Sequence, residues 1–196
     1  MANVSRVNGF RPVMHKNGSP WNGQVTAYST TTGDSQEIYV GDLVTLQGSA
    51  QLDGKICVEQ ADANDVCVGV VVAVEPNPDN LMQNYRVAST ARTVYVADSP
   101  DIVMEAQANA ACNADSLGLN VNFVATAGST VTGQSGMVVG VSTADTTNTL
   151  PLTLLGFSTR VDNETGASVS AGAASVKVLV GFNTHQYKGS TGATGI

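Results

Sequence analysis

Short apolar runs punctuated by turn residues set the pattern of this chain. Residues 24–29 form a first candidate strand, and the polar stretch 30–34 turns the chain. Residues 37–40 and 43–47 flank Gly41-Asp42, where glycine supplies the positive φ of a tight turn or bulge. Residues 55–60 and 66–75 are predicted to pair as a hairpin around 61–65. The run from Val66 to Val74 is almost wholly apolar, which predicts a central strand covered on both faces. Further strands are predicted at 93–97, 102–107, 120–126, 136–142, 149–159 and 175–183. No long stretch repeats apolar residues at helical spacing, and the Ala/Asn-rich segment 108–117, ended by Gly118, is the one candidate for a short helix. About ten short strands at hairpin-like spacing predict an all-β barrel or sandwich with at most one short helix.

The organisation along the chain has three parts. Residues 1–23 break strand and helix alike with Asn8-Gly9, Pro12, Asn17-Gly18, Pro20 and Asn22-Gly23, and are expected to form an extended arm. Residues 24–187 are the β body, in which a division near 24–107 and 118–187 is open. Residues 188–196 carry glycine at every third position and are expected to be a flexible tail, since so few triplets without proline cannot hold a collagen helix.

Composition sharpens this picture. The 28 Val against 11 Leu and 4 Ile favour a pleated surface, because Val is stiff at χ1. Charged residues are only 13% of the chain, about half the usual share, so Ser, Thr, Asn, Gln and Gly must cover the surface. That fits a protein much of whose surface is interface. The arm holds Arg6, Arg11 and Lys16 and no acid, so it is +3 while the other 173 residues carry −10 of the net −7. This acidic balance argues against nucleic acid as a partner. No apolar run approaches a membrane span, and the first residues show no apolar export signal. The arm also carries large apolar residues, so Arg6, Phe10, Arg11, Met14, His15, Lys16 and Trp21 are the candidate docking residues. Two readings stay open: the arm docks on another surface, or it folds back on its own acidic body.

The sequence carries little of the patterning that catalysis requires. His15 and His185 lie far apart, and no zinc-ligand spacing, nucleophile elbow or phosphate loop is present. Cys57, Cys67 and Cys112, an odd number, read as reduced core residues; the first two could face each other across the predicted hairpin. Asp62/Asp65 and Asp98/Asp101 sit in predicted turns, where Asp more often bonds its own backbone than a cation. No cofactor is expected and the chain is not expected to be an enzyme.

Several segments carry a family resemblance. They are the opening Met1-Ala2-Asn3-Val4-Ser5-Arg6-Val7-Asn8-Gly9-Phe10-Arg11-Pro12-Val13 with Asn17-Gly18-Ser19-Pro20 and Asn22-Gly23-Gln24, then Ile38-Tyr39-Val40-Gly41-Asp42-Leu43-Val44, Val68-Gly69-Val70-Val71-Val72 and Glu75-Pro76-Asn77-Pro78-Asp79-Asn80-Leu81. Tyr85-Arg86-Val87-Ala88-Ser89-Thr90-Ala91-Arg92, Val94-Tyr95-Val96 and Leu154-Leu155-Gly156-Phe157 continue it, so it spans most of the chain. In their order and spacing these resemble the capsid decoration (cement) proteins of tailed phages. The resemblance implies a β-rich virion protein, made in the host cytoplasm, that sits on the outer face of the major capsid protein lattice. It further implies a homotrimer at local three-fold positions, dimers being the other known arrangement, and no active site. The glycine-rich tail after Tyr187 is a departure from that pattern. A tail or baseplate protein of the virion is the nearest alternative. A carbohydrate-binding β module ranks lower, because aromatic residues make up only 5% of the chain.

Overall fold

The structure, a computed structural model, describes residues 3–51, 53–168 and 170–195. Among these lie thirteen strands and a single 3-10 turn at Ala114–Ser116, so the chain is all-β and the predicted helix shrinks to that turn. The helix fails because the segment is held from outside: Ala108 N–H donates to Val176 O, Asn109 N–H to Val139 O and Cys112 N–H to Ala173 O.

Five strands close a small barrel: β2 (Thr26–Ser29), β3 (Leu43–Ala50), β4 (Ile56–Gln60), β5 (Gly69–Val74) and β6 (Thr93–Ala97), in the order β2-β4-β3-β5-β6. Closure leaves the barrel no free strand edge. The predicted pairing of 55–60 with 66–75 does not form. The eight-residue β3 lies between them, Leu46 opposite Val58 on one side and Leu43 opposite Val70 on the other. Cys57 on β4 and Cys67 just before β5 are consequently separated by β3, and all three cysteines are free and buried. Tyr28, Ile38, Val44, Val58, Val68, Val71, Val94 and Val96 fill the barrel. The alternation Val94-Tyr95-Val96 puts both valines inside and leaves Tyr95 exposed.

The second unit is an antiparallel sheet, in the order β1-β7-β13-β10-β8-β9. It joins β1 (Arg11–His15), β7 (Ile102–Gln107), β8 (Asn120–Val124), β9 (Val138–Asp145), β10 (Leu152–Phe157) and β13 (Lys177–Phe182). A two-strand ribbon, β11 (Gly166–Ser168) and β12 (Ala171–Gly172), stands apart from it. The break between barrel and sheet falls at Asp98–Asp101, so 102–107 belongs to the sheet and not to the first unit, where the sequence-based division placed it. The sheet curls until the end of β7 meets β9, with Ala108 bridging Val139. Its core holds Ile102, Met104, Ala106, Val121, Phe123, Leu152, Leu154, Val178, Val180 and Phe182, and continues into Leu43, Cys67, Val70 and Ala97 of the barrel. The run 66–74 thus serves two cores, Cys67 and Val70 facing the sheet and Val68 and Val71 the barrel interior.

The arm and the tail both lie on this body. β1 pairs with β7, Arg11 opposite Glu105, and its outer side is met by the returning chain, where Trp21 N–H donates to Val13 O and His15 N–H to Ser19 O. Pro12 is tolerated there because an edge strand need not donate from every residue. After β13 the chain crosses back to the barrel: Gln186 N–H donates to Cys67 O, and the Tyr187 and Tyr28 hydroxyls are 2.7 Å apart, Tyr28 also donating to Asp98. The tail is not free, as its glycine spacing suggested. Gly192 N–H donates to Asn148 O, Gly195 N–H to Thr146 O, and Asn120 Nδ2 to Ala193 O. A Cβ on Gly192 would stand 2.2 Å from Asn183 Oδ1, so glycine there allows close approach to the body.

Two buried charges fasten the barrel loops. Arg86, 0% exposed, spends all five guanidinium N–H groups: Nε on Thr90 O, Nη1 on Asp34 Oδ2 (2.9 Å) and Gln36 O, Nη2 on Thr31 O and Asp34 O. Asp42, also fully buried, accepts at Oδ2 from Tyr39 N–H and Gln60 Nε2. Burial pushes its carboxyl up to about 6, against the opposing pull of Ser135, Tyr39 and Gln60.

Arg86→Ala leaves the buried Asp34 carboxylate without its cation and strips several buried carbonyls of a donor, and is expected to cost about 3–5 kcal/mol, a fall of roughly 10 °C in the melting midpoint. Asp42 binds its proton more tightly folded than unfolded, so its contribution to stability is greatest below about pH 4 and is lost as pH rises through about 6. Wild type should therefore lose about 3 kcal/mol relative to Asp42→Asn between those limits, in urea melts across the range. Parallel pH profiles of the two proteins would overturn this.

Candidate functional site

The structure scatters the candidate docking residues. Phe10 is core: it is 1% exposed, meets Phe123 edge-on at 6.5 Å, and its N–H donates to Gly41 O. It is therefore not available to fill a partner's pocket. Met14 bridges Pro20, and Trp21 packs half-buried against the main core with its indole N–H on Gln24 O. His15 and Lys16 sit beside Ser99 and Asp101, with Lys16 Nζ donating to Phe182 O at 2.9 Å. Arg6 and Arg11 lie elsewhere, in a groove of about 550 Å³ between the arm and the segments around 160–164 and 175–177.

That groove follows from the outward face of β7. All six residues of β7 are buried; Ile102, Met104 and Ala106 face the core, and Glu105 and Gln107 face the arm. Gln107 Oε1 accepts from Arg6 N–H at 2.7 Å and Gln107 Nε2 donates to Ser5 Oγ. Glu105 accepts from Ser158 Oγ and from Arg160 Nε at 2.9 Å. Lys177, opposite Gln107 on β13, donates to Arg6 O at 2.8 Å. Its ammonium pKa is lowered, chiefly by burial, with Arg160 and Arg11 pushing the same way and Glu105 and Asp162 opposing.

A second outward feature is apolar. Residues 76–84 form a loop pinned by Asn77 Nδ2 on Gln83 Oε1, Gln83 N–H on Asn80 O and Asp79 N–H on Asn77 Oδ1. It presents Leu81 and Met82 at 75% and 87% exposure. The loop containing Val131, 87% exposed, lies against it, because Gly133 sits so close to Asn84 that a Cβ would stand 2.7 Å from that side chain. Next to Asn84, Tyr85 stacks its ring on that of Tyr39 at 4.9 Å. The sequence reading did not single out these three side chains; an unbroken Leu-Met pair just after a Pro/Asn stretch was the available signal.

Among the described residues no group of three or more His, Cys, Asp or Glu is arranged to hold a metal ion. Burial raises the Cys67 and Cys112 thiol pKa values, which keeps both protonated and poor as nucleophiles. His185 is fully buried with its Nδ1 accepting from Tyr187 N–H, and burial lowers its pKa. The turn carboxylates bond local backbone, as at Asp65 Oδ2 on Asp62 N–H and Asp53 Oδ1 on Lys55 N–H. In comparisons with known proteins, no family model, no curated protein and no solved structure matches the chain.

Phe10→Ala is expected to destabilise the fold by about 3–5 kcal/mol, the cost of emptying a buried aromatic site. A variant that melts within 1 °C of wild type would show instead that the arm is dispensable to the body.

Proposed function

We propose that this chain is a capsid decoration protein, binding the outer surface of a phage major capsid protein lattice and stabilising the head. The observation that carries the reading is the apolar tip formed by Leu81, Met82 and Val131. These side chains stand almost fully exposed on loops that are braced by hydrogen bonds, in a chain with only 13% charged residues. Isolated exposed apolar residues are ordinary, but three on two adjoining braced loops form the kind of patch that a partner covers. The resemblance to cement proteins supplies the partner's identity, and sister subunits of a homotrimer would cover further charge-poor surface. Mechanically, a protein that binds only the expanded shell stabilises it by mass action, with many modest contacts each linking neighbouring capsomers. The chain makes and breaks no bond in this role.

Purified chain mixed with expanded heads that lack it should co-sediment and saturate at hundreds of copies per particle. Leu81→Asp with Met82→Asp should weaken capture at least tenfold while leaving the melt unchanged. Wild-type protein that stays in the supernatant, or saturates at a handful of copies, would sink the reading.

A further inference from the structure

The groove between arm and sheet carries more cationic capacity than the fold uses. Of the nine Lys and Arg in the chain, four line it: Arg6, Arg11, Arg160 and Lys177. Arg160 is engaged by Glu105 and Lys177 by Arg6 O. The guanidinium groups of Arg6 and Arg11 make no hydrogen bond or ion pair among the described residues, and both side chains are exposed. Each offers a planar fork of donors suited to a carboxylate.

The walls are built and held. Asn3 Nδ2 donates to Glu164 O and Ala174 O while its Oδ1 accepts from Glu164 N–H, which ties the start of the arm to the far wall. Asn163 in turn bonds Ser158 O and Lys177 O through Nδ2 and Lys177 N–H through Oδ1. The rim is apolar on both sides, Val4 at 65% exposure and Val161 fully exposed, and both line the groove. Its carboxylates, Glu105, Asp162 and Glu164, reduce the formal charge of the lining to +1. That balance disfavours a polyanion such as nucleic acid, which needs an unbroken basic track. It suits one carboxylate flanked by apolar side chains.

We infer that this groove is a recognition site for an extended acidic-apolar segment of a partner protein. One Asp or Glu of that segment lies between Arg6 and Arg11, and its apolar neighbours rest on Val4 and Val161. The inference rests on the docking role proposed above and narrows part of it to this face, opposite in character to the Leu81, Met82 and Val131 tip.

The test is fluorescence anisotropy with a short labelled peptide alternating aspartate and leucine, against the same peptide with asparagine for aspartate. The acidic peptide should bind at least tenfold more tightly, and weaken as salt rises. Arg6→Gln with Arg11→Gln should abolish that preference, whereas Lys16→Gln, outside the groove, should retain it; melting curves confirm that each variant is folded. Equal binding of the two peptides, no binding at millimolar peptide, or an unaffected double variant would overturn the inference, as would inorganic phosphate competing at the peptide's own concentration. Head co-sedimentation separates this from the capsid reading. Wild-type protein that fails to sediment defeats the capsid reading whatever the peptide does, while capture that the double variant leaves undiminished defeats only the groove's part in docking.

Discussion

Everything in this molecule turns on one backbone crossing. Gly9 of the arm and Gly41 of the barrel's first tight turn approach so closely that a Cβ on Gly9 would stand 2.5 Å from Gly41 O and 2.4 Å from Ser135 Cβ. Both glycines hold positive φ, +67° and +97°, which other residues adopt only under strain. The crossing exists to make hydrogen bonds. Phe10 N–H reaches Gly41 O, Gly41 N–H reaches Val71 O, and Ser135 N–H reaches Val40 O. Arm, barrel and the loop before β9 are thereby locked at one point. Phe10 enters the main core directly beyond it, and Asp42 is buried directly beside it. The high proton affinity of Asp42 is a consequence of this packing: its carboxyl lies where no solvent reaches, with Oδ2 held by Tyr39 and Gln60 and Oδ1 left without a partner among the described residues.

The same constraint explains why an arm full of breakers is ordered. Pro12, Asn8-Gly9 and Asn17-Gly18 prevent regular structure of their own, yet they allow the chain to bend through a narrow passage and then lie along β7. The outer face of β7 presents Gln107, whose side-chain amide is paired by Ser5 and Arg6 of the arm and would lose both partners if the arm were absent. Arm and strand satisfy one another, and the groove is the space left between the arm and the segments that complete the job. Arg6 fixes the wall with its backbone, through Gln107 and Lys177, while its side chain stays exposed.

Much of the fold was legible. The strands at 93–97 and 102–107 were readable to the residue, because Asp98-Ser99-Pro100-Asp101 leaves no other boundary and Val94-Tyr95-Val96 alternates cleanly. The apolar run 66–74 announced a strand with two covers. Pairing was less legible: neighbours in sequence favour hairpins, and nothing local says that β3 is long enough to hold both β4 and β5. β1 was hidden by its proline, which an edge position excuses. Arg86 was invisible as a core residue, since its acceptors come from Thr31, Asp34, Gln36 and Thr90 and no local pattern gathers them. Of the candidate site, the sequence could show that the arm's charge was unusual, but Arg160 and Lys177 join Arg6 and Arg11 only through the sheet.

The edges of the second sheet carry a last consequence. One side of β1 is met by residues 19–21, and β9 is met by Ala108 and Asn109, while the barrel has no edge at all. Unsatisfied strand borders are the usual seeds of fibrous self-association. Borders covered in this way leave the main sheet few backbone groups for a neighbouring copy to pair with, so that contact between copies falls to side chains where they project.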